Sequence, residues 1–219
     1  PTFQTLDYNI LKDGALTDKQ VWGLTIDNNS QVWLGGENEL AIFNEKMKFQ
    51  EIIPLTGIAN PHTHISVIFK DKKGMLWLGL DKDGILTCDP KSKKITRIPI
   101  NDKDAEICCI YEDHNKIWIG TQEGLFSWEN GSLNEQLPDL MIHGILKDSQ
   151  GKLWLGTFGK GLVVFSPNKQ RIMQFDTTNG MLTNAVNSLY LDKNGGVWAA
   201  TRAGITYIKD TAKPKIEIL

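Results

Sequence analysis

The histidine pair in Pro61-His62-Thr63-His64 is the first feature with chemical potential. Two imidazoles two residues apart on a strand point the same way and could share a transition-metal ion. No third ligand stands near it in sequence, and loop histidines are ordinarily just solvated. Asp81-Lys82-Asp83-Gly84 resembles the opening of a calcium loop, but the later ligand positions and the closing glutamate are missing, and a turn between strands explains it. Glu37, Asp81 and Glu123 could act as paired carboxylates only if folding brings two of them together. Cys88, Cys108 and Cys109 lack Cys-x-x-Cys spacing and an even count, so they read as buried thiols rather than ligands or disulfides. There is no G-x-S-x-G elbow, phosphate-binding glycine loop or H-E-x-x-H segment. The expectation is a non-enzymatic chain with no cofactor and no metal.

The elements that must position such residues are set by a repeat. Val32-Trp33-Leu34-Gly35, Leu76-Trp77-Leu78-Gly79, Ile117-Trp118-Ile119-Gly120, Leu153-Trp154-Leu155-Gly156 and Val197-Trp198-Ala199-Ala200 are copies of one segment, with tryptophans 44, 41, 36 and 44 residues apart. Upstream of each lies an apolar run ending in aspartate: Val21–Asp27, Ile65–Asp71, Ile107–Asp113, Ile142–Asp148 and Val186–Asp192. The Asp-led turn between them makes a hairpin of strands A and B. Strand C follows at Leu40–Phe43, Ile85–Cys88, Leu125–Trp128, Leu162–Phe165 and Ile205–Ile208. A more polar strand D follows at Phe49–Ile53, Lys94–Ile98, Ser132–Gln136 and Arg171–Phe175. No segment holds a 3.6-residue period, so helix should be nearly absent. A repeated four-stranded antiparallel unit of this length is a propeller blade, because one small twisted sheet can bury its faces only against neighbours. The fold class is therefore an all-β propeller with five blades counted.

Only four D strands are internal. Phe3–Tyr8 has D-like alternation, and pairing it with strand C of the last copy would close the ring. Residues 1–212 are then the propeller, and 213–219 a tail or the start of a following β-sandwich domain. Lys215–Leu219 as the last blade's own D strand is the alternative, in which case Phe3–Tyr8 ends a preceding blade.

Composition narrows the partners. Hydrophobic residues make up 41% and charged residues 23%, with a formal net charge of −2. That favours neither nucleic acid nor anionic lipid, and no apolar run reaches membrane-span length. Aligning the A strands on their closing aspartate exposes one slot that differs in every copy: Trp22, Ser66, Cys108, His143 and Asn187. Trp22 could stack on a sugar, while His143 and Asn187 could bond its hydroxyls. His64 and the B–C loops add Glu37, Asp81, Glu123, Phe158 and Arg202 as candidate ligand-binding residues.

The pattern apolar-x-x-apolar-x-x-Asp-x-x-Gly-x-apolar-Trp-apolar-Gly-Thr-x-x-Gly-Leu, nearly complete from Leu140 to Leu162, resembles the two-component regulator propeller repeat. Gly36, Leu80 and Ala200 depart from it, which reads as weakening individual turns. The resemblance implies the periplasmic sensor region of a hybrid histidine kinase, with a small-molecule or oligosaccharide ligand. A homodimer is compatible with this, and membrane contact would come only through domains outside this chain. The alternatives are a protein-interaction propeller without a small ligand, and a propeller lyase or glycosidase.

Overall fold

The computed structural model describes residues 20–100, 105–166, 170–211 and 216–218. Among the described residues, twenty strands form five four-stranded antiparallel sheets, each in the order A-B-C-D, and there is no helix. The chain divides into two compact units, Pro1–Ile107 and Cys108–Leu219. The first unit holds two blades, β1–β4 (Gly23–Ile26, Val32–Gly35, Glu39–Phe43, Phe49–Pro54) and β5–β8 (Ile65–Lys70, Leu76–Leu80, Ile85–Cys88, Ile95–Ile98). Strand β9, Ile107–Asp113, starts at the division and opens the third blade, with β10 (Lys116–Thr121), β11 (Gly124–Glu129) and β12 (Ser132–Pro138). The second unit continues with β13–β16 (Ile142–Lys147, Leu153–Thr157, Leu162–Ser166, Gln170–Phe175) and β17–β20 (Val186–Leu191, Val197–Thr201, Gly204–Ile208, Ile216–Ile218). The all-β propeller blades expected from the repeat are thus present.

One expectation is corrected in detail. The outer position of the last blade is filled by β20, which pairs antiparallel with β19. Ile216–Ile218 is therefore part of that blade, not a tail or the entry to a sandwich domain. The strand expected to take that place, Phe3–Tyr8, lies outside the described residues.

The Asp-to-Trp spacing explains why the hairpins are alike. Asp27 Oδ1 accepts N–H bonds from Asn29 and Gln31, at 2.8 and 2.9 Å, and so shapes the A–B turn. Its other oxygen accepts the Trp33 indole N–H at 3.1 Å. Asp71–Trp77 repeats the indole bond at 3.0 Å, and Asp148–Trp154 and Asp192–Trp198 repeat it at 2.9 Å. A buried indole must have its N–H satisfied, and a carboxylate already pinned in the turn does so without further ordering. The Trp198 indole bond, followed by the Gly196 N–H, holds the Asp192 carboxyl below the usual carboxylate range.

The third blade breaks the rule. Its turn is one residue shorter, with Asp113 five rather than six residues before Trp118. Asp113 instead binds Lys147 Nζ at 2.6 Å and His114 Nδ1 at 2.7 Å, and the Trp118 Nε1 is buried without a hydrogen-bond partner among the described residues.

Three of the tryptophans fill the space between blades. Trp33 packs with Ile65, Ile68 and Leu76 of the second blade, Trp118 with Ile142 and Leu153 of the fourth, and Trp154 with Val186 and Val197 of the fifth. Truncating such a ring to alanine typically costs about 3–5 kcal/mol.

The glycine after the tryptophan has a packing role rather than a turn role. A Cβ at Gly35 would lie 2.7 Å from Ile65, at Gly79 2.6 Å from Ile107, and at Gly156 2.8 Å from Val186. At Gly120 it would lie 2.8 Å from the Ile142 carbonyl. Each glycine is a hollow that receives the first residue of the next A strand. Ala200, at the same place in the last blade, is exposed, so its methyl meets no such knob and the departure weakens no turn.

Two thermal-unfolding comparisons test these roles. Trp154→Phe should lose about 1–3 kcal/mol more than Trp118→Phe, because only the former strands a buried carboxylate oxygen. Equal losses would show that the indole bond contributes nothing. Gly156→Val should lose at least about 2 kcal/mol from overpacking, whereas Ala200→Val should be near neutral.

Candidate functional site

In three blades the variable slot of the repeat lies on a β-bulge. In the second blade Ile65 pairs with Leu80 and Val67 with Gly79, which leaves Ser66 unpaired between them. His143 is skipped in the same way between Ile142 and Gly144, and Asn187 between Val186 and Ser188. A bulged residue owes no ladder bond and is re-aimed relative to its neighbours. The chain can therefore vary it without disturbing the sheet. Not every copy uses that freedom for a ligand. Ser66 donates to the Gly79 and Ile107 carbonyls, at 3.0 and 2.6 Å. Cys108 is half-buried, and its neighbour Cys109 contacts the Ile142 carbonyl at 3.4 Å. None of the three cysteines is in a disulfide, and burial pushes the Cys88 thiol up to about 11 and the Cys109 thiol higher still.

In the first unit the structure gathers Trp22, Glu37, His64 and Asp81. Trp22 is 55% exposed, and its ring lies 5.9 Å from that of His64, tilted by 51°. Glu37 bridges His64 through the backbone, and its carboxylate binds His62 Nδ1 at 2.6 Å. Asp81 Oδ1 accepts the His64 N–H at 2.9 Å. The two histidines of the His-x-His pair thus have separate partners. His64 Nδ1 and Asn38 Oδ1 are buried without hydrogen-bond partners, so this end of the blade keeps polar capacity in reserve beneath an exposed indole. Asp83, the second aspartate of the calcium-like run, is a structural anchor. It is buried, takes a two-pronged contact from Arg97 at 2.8 and 3.0 Å, and accepts the Asn60 N–H at 2.8 Å.

In the second unit the structure gathers His143, Phe158 and Arg202. The Phe158 ring centre is 6.0 Å from that of His143, and the Arg202 guanidinium carbon lies over it at 4.5 Å. The loop beneath is stapled by Thr157, whose hydroxyl donates to the Gly161 carbonyl at 2.8 Å and accepts the Lys160 N–H at 3.1 Å. Asn184 ties the loop to the next blade, accepting from Gly159 and Gly161 at 2.8 and 3.0 Å. Phe158 and Arg202 both dock on Ala185, the former as a bridge and the latter through its N–H at 3.2 Å. Asn187 is exposed on β17, one residue beyond Val186, which pairs with Thr201. Glu123 is exposed on the third blade's B–C loop, and its N–H is bound by Thr121 at 3.0 Å.

Sequence reasoning missed the stacking of Arg202 on Phe158, the bulge and the Arg97–Asp83 anchor. The six-residue Asp-to-Trp spacing of four copies was a readable sign of the indole bond. The other three join residues whose neighbourhood only folding creates. At the far end of the first blade, a hollow of about 480 Å³ is lined by Asn29, Gln31, Asn44, Glu45 and Lys46. It has no aromatic wall and carries no ligand argument.

Residues 136–159 and 180–203 match the family model described as two component regulator propeller. Two of the chain's five repeats thus match that model. Known structures agree with the repeat in fold. The extracellular domain of a putative hybrid two component system from B. thetaiotaomicron is 25% identical, with a TM-score of 0.80 over 93% of this chain and 28% of that one. A second such domain from B. thetaiotaomicron is 21% identical, with a TM-score of 0.75 over 87% of this chain and 27% of the other. The chain thus spans less than a third of either. A catalytically inactive virginiamycin B lyase from Staphylococcus aureus, solved with quinupristin, is 16% identical, with a TM-score of 0.73 over 93% of this chain and 72% of the lyase. That likeness shows the fold alone. No curated protein matches the chain.

The anchoring role of Asp83 is open to test. Arg97→Met should lower stability by about 3 kcal/mol, because the buried carboxylate loses its charged partner. A melting temperature unchanged from wild type would show that the Arg97–Asp83 contact anchors nothing.

Proposed function

We propose that the chain is the ligand-binding part of an extracytoplasmic two-component sensor, and that it binds a polar small molecule, an oligosaccharide, at the loop end of its blades. The observation that carries this is Trp22: an indole more than half exposed, just before β1 and tied to β2 by its N–H bond to the Gly35 carbonyl, beside the half-buried His64 with an unpartnered ring nitrogen. Sugars are recognised by just this pairing of an apolar face for the ring with nearby groups for the hydroxyls. The likeness to extracellular domains of hybrid two component systems supports the sensor context. Catalysis is not part of the proposal, since Glu37 and Asp81 are each engaged by the segment around His64.

A protein-interaction role is the second reading. It is favoured by Leu24 and Ile26, which stand on the same side of β1 and are 60% and 51% exposed. Thermal-shift screening against an oligosaccharide library separates the two. Sensor binding predicts a reproducible rise with one glycan class. Trp22→Ala should then weaken that ligand on the order of tenfold or more while shifting the melting temperature little. If no sugar stabilises a cooperatively melting protein, or if Trp22→Ala binds as wild type does, the sugar-stacking proposal is wrong.

A further inference from the structure

The second unit's cluster specifies the ligand more closely than an aromatic platform alone would. Arg202 is exposed, and it takes part in no ion pair among the described residues. Its backbone N–H is bound to Ala185, and its guanidinium is laid over Phe158. That ring is fixed in turn by the Thr157 staple and by bonds from the Phe158 and Gly159 N–H groups to Met141 and Asn184, both at 2.8 Å. A guanidinium held on an aromatic face has its charge already oriented, with its N–H edge free. That is the geometry which grips a carboxylate or sulfate through two parallel hydrogen bonds. Lys160, exposed on the same stapled loop, adds a second cation that no described carboxylate neutralises. Beside Phe158 stands the bulged His143, whose Nε2 is buried without a partner and so offers one hydrogen bond to a ligand hydroxyl. An aromatic face, an oriented unpaired cation and an unsatisfied ring nitrogen thus meet at one loop cluster.

We infer that Arg202, seated on Phe158, is the anion-recognising residue of a ligand site within the second unit, whose ligand is an acidic oligosaccharide bearing a carboxylate or a sulfate. This deepens the reading under Proposed function and rests on it. Phe158 carries the arginine and faces the sugar ring, His143 bonds a hydroxyl, and Arg202 selects for charge. Neutral sugars of the same size lack the group that would justify an unpaired guanidinium at the site.

Isothermal titration of the 219-residue chain with three probe sets tests this: oligogalacturonates, chondroitin sulfate oligosaccharides, and neutral galacto- and xylo-oligosaccharides. The expected result is binding confined to one of the two acidic sets, the one that binds telling carboxylate from sulfate. Arg202→Gln should then weaken it by about 10- to 100-fold. Arg202→Lys, which keeps the charge but loses the planar fork, should fall between. Wild-type affinity should also decrease as salt rises. Arg202 is exposed, so thermal unfolding of the variants should match wild type and confirm that they are folded. Binding of a neutral set with equal or higher affinity, or an Arg202→Gln variant that binds acidic sugars as wild type does, overturns the inference and leaves the sensor reading standing. Binding of none of the three sets overturns both.

Discussion

Four of the five blades depend on a carboxylate placed where two needs coincide. The aspartate that ends strand A must shape the turn into strand B, and the tryptophan on strand B must have its indole N–H satisfied once the ring is buried between blades. In four blades one side chain meets both needs, its two oxygens divided between turn and indole. The hairpin is thereby fixed to the interblade core. Local turn geometry and long-range packing cannot drift apart, because they share a residue. The third blade shows what happens when the turn loses one residue: the carboxylate turns to Lys147 on the neighbouring A strand, and the indole is left unbonded.

From that lock follows the way blades meet. With the tryptophan held, the glycine two residues later presents bare backbone to the next blade, and the first residue of the next A strand fills the space. The bulge comes immediately after this knob in the second, fourth and fifth blades. The most constrained and the least constrained positions of strand A are therefore adjacent. Rigid packing ends one residue before the slot in which Ser66, His143 and Asn187 stand; of these Ser66 still ties its blade to the next strand A through the Ile107 carbonyl.

The fold was legible because it is repeated. Five copies of one segment average out local ambiguity, and strands A, B and C fell within a few residues of their expected bounds, as in Ile85–Cys88 and Leu162–Ser166. The last D strand was less legible, because a three-residue strand at the edge of a sheet has little hydrophobic pattern to show. The glycine of the tryptophan segment was misread for a physical reason: sequence shows that a side chain is missing, not what occupies its place. For the site, sequence marked Trp22 and His143 as unconstrained, but it could not place Arg202 over Phe158. That contact joins the loops of two blades, and only their packing creates it.

The bulge has a further consequence for how such a chain changes over generations. A residue outside the ladder adds little to the folding of its sheet, so replacing it alters recognition while leaving melting behaviour nearly unchanged. Copying a blade also copies an unassigned position, already aimed and already supported. A lineage of these repeats can therefore acquire a new chemical preference by a handful of substitutions, one per blade, without passing through poorly folded ancestors.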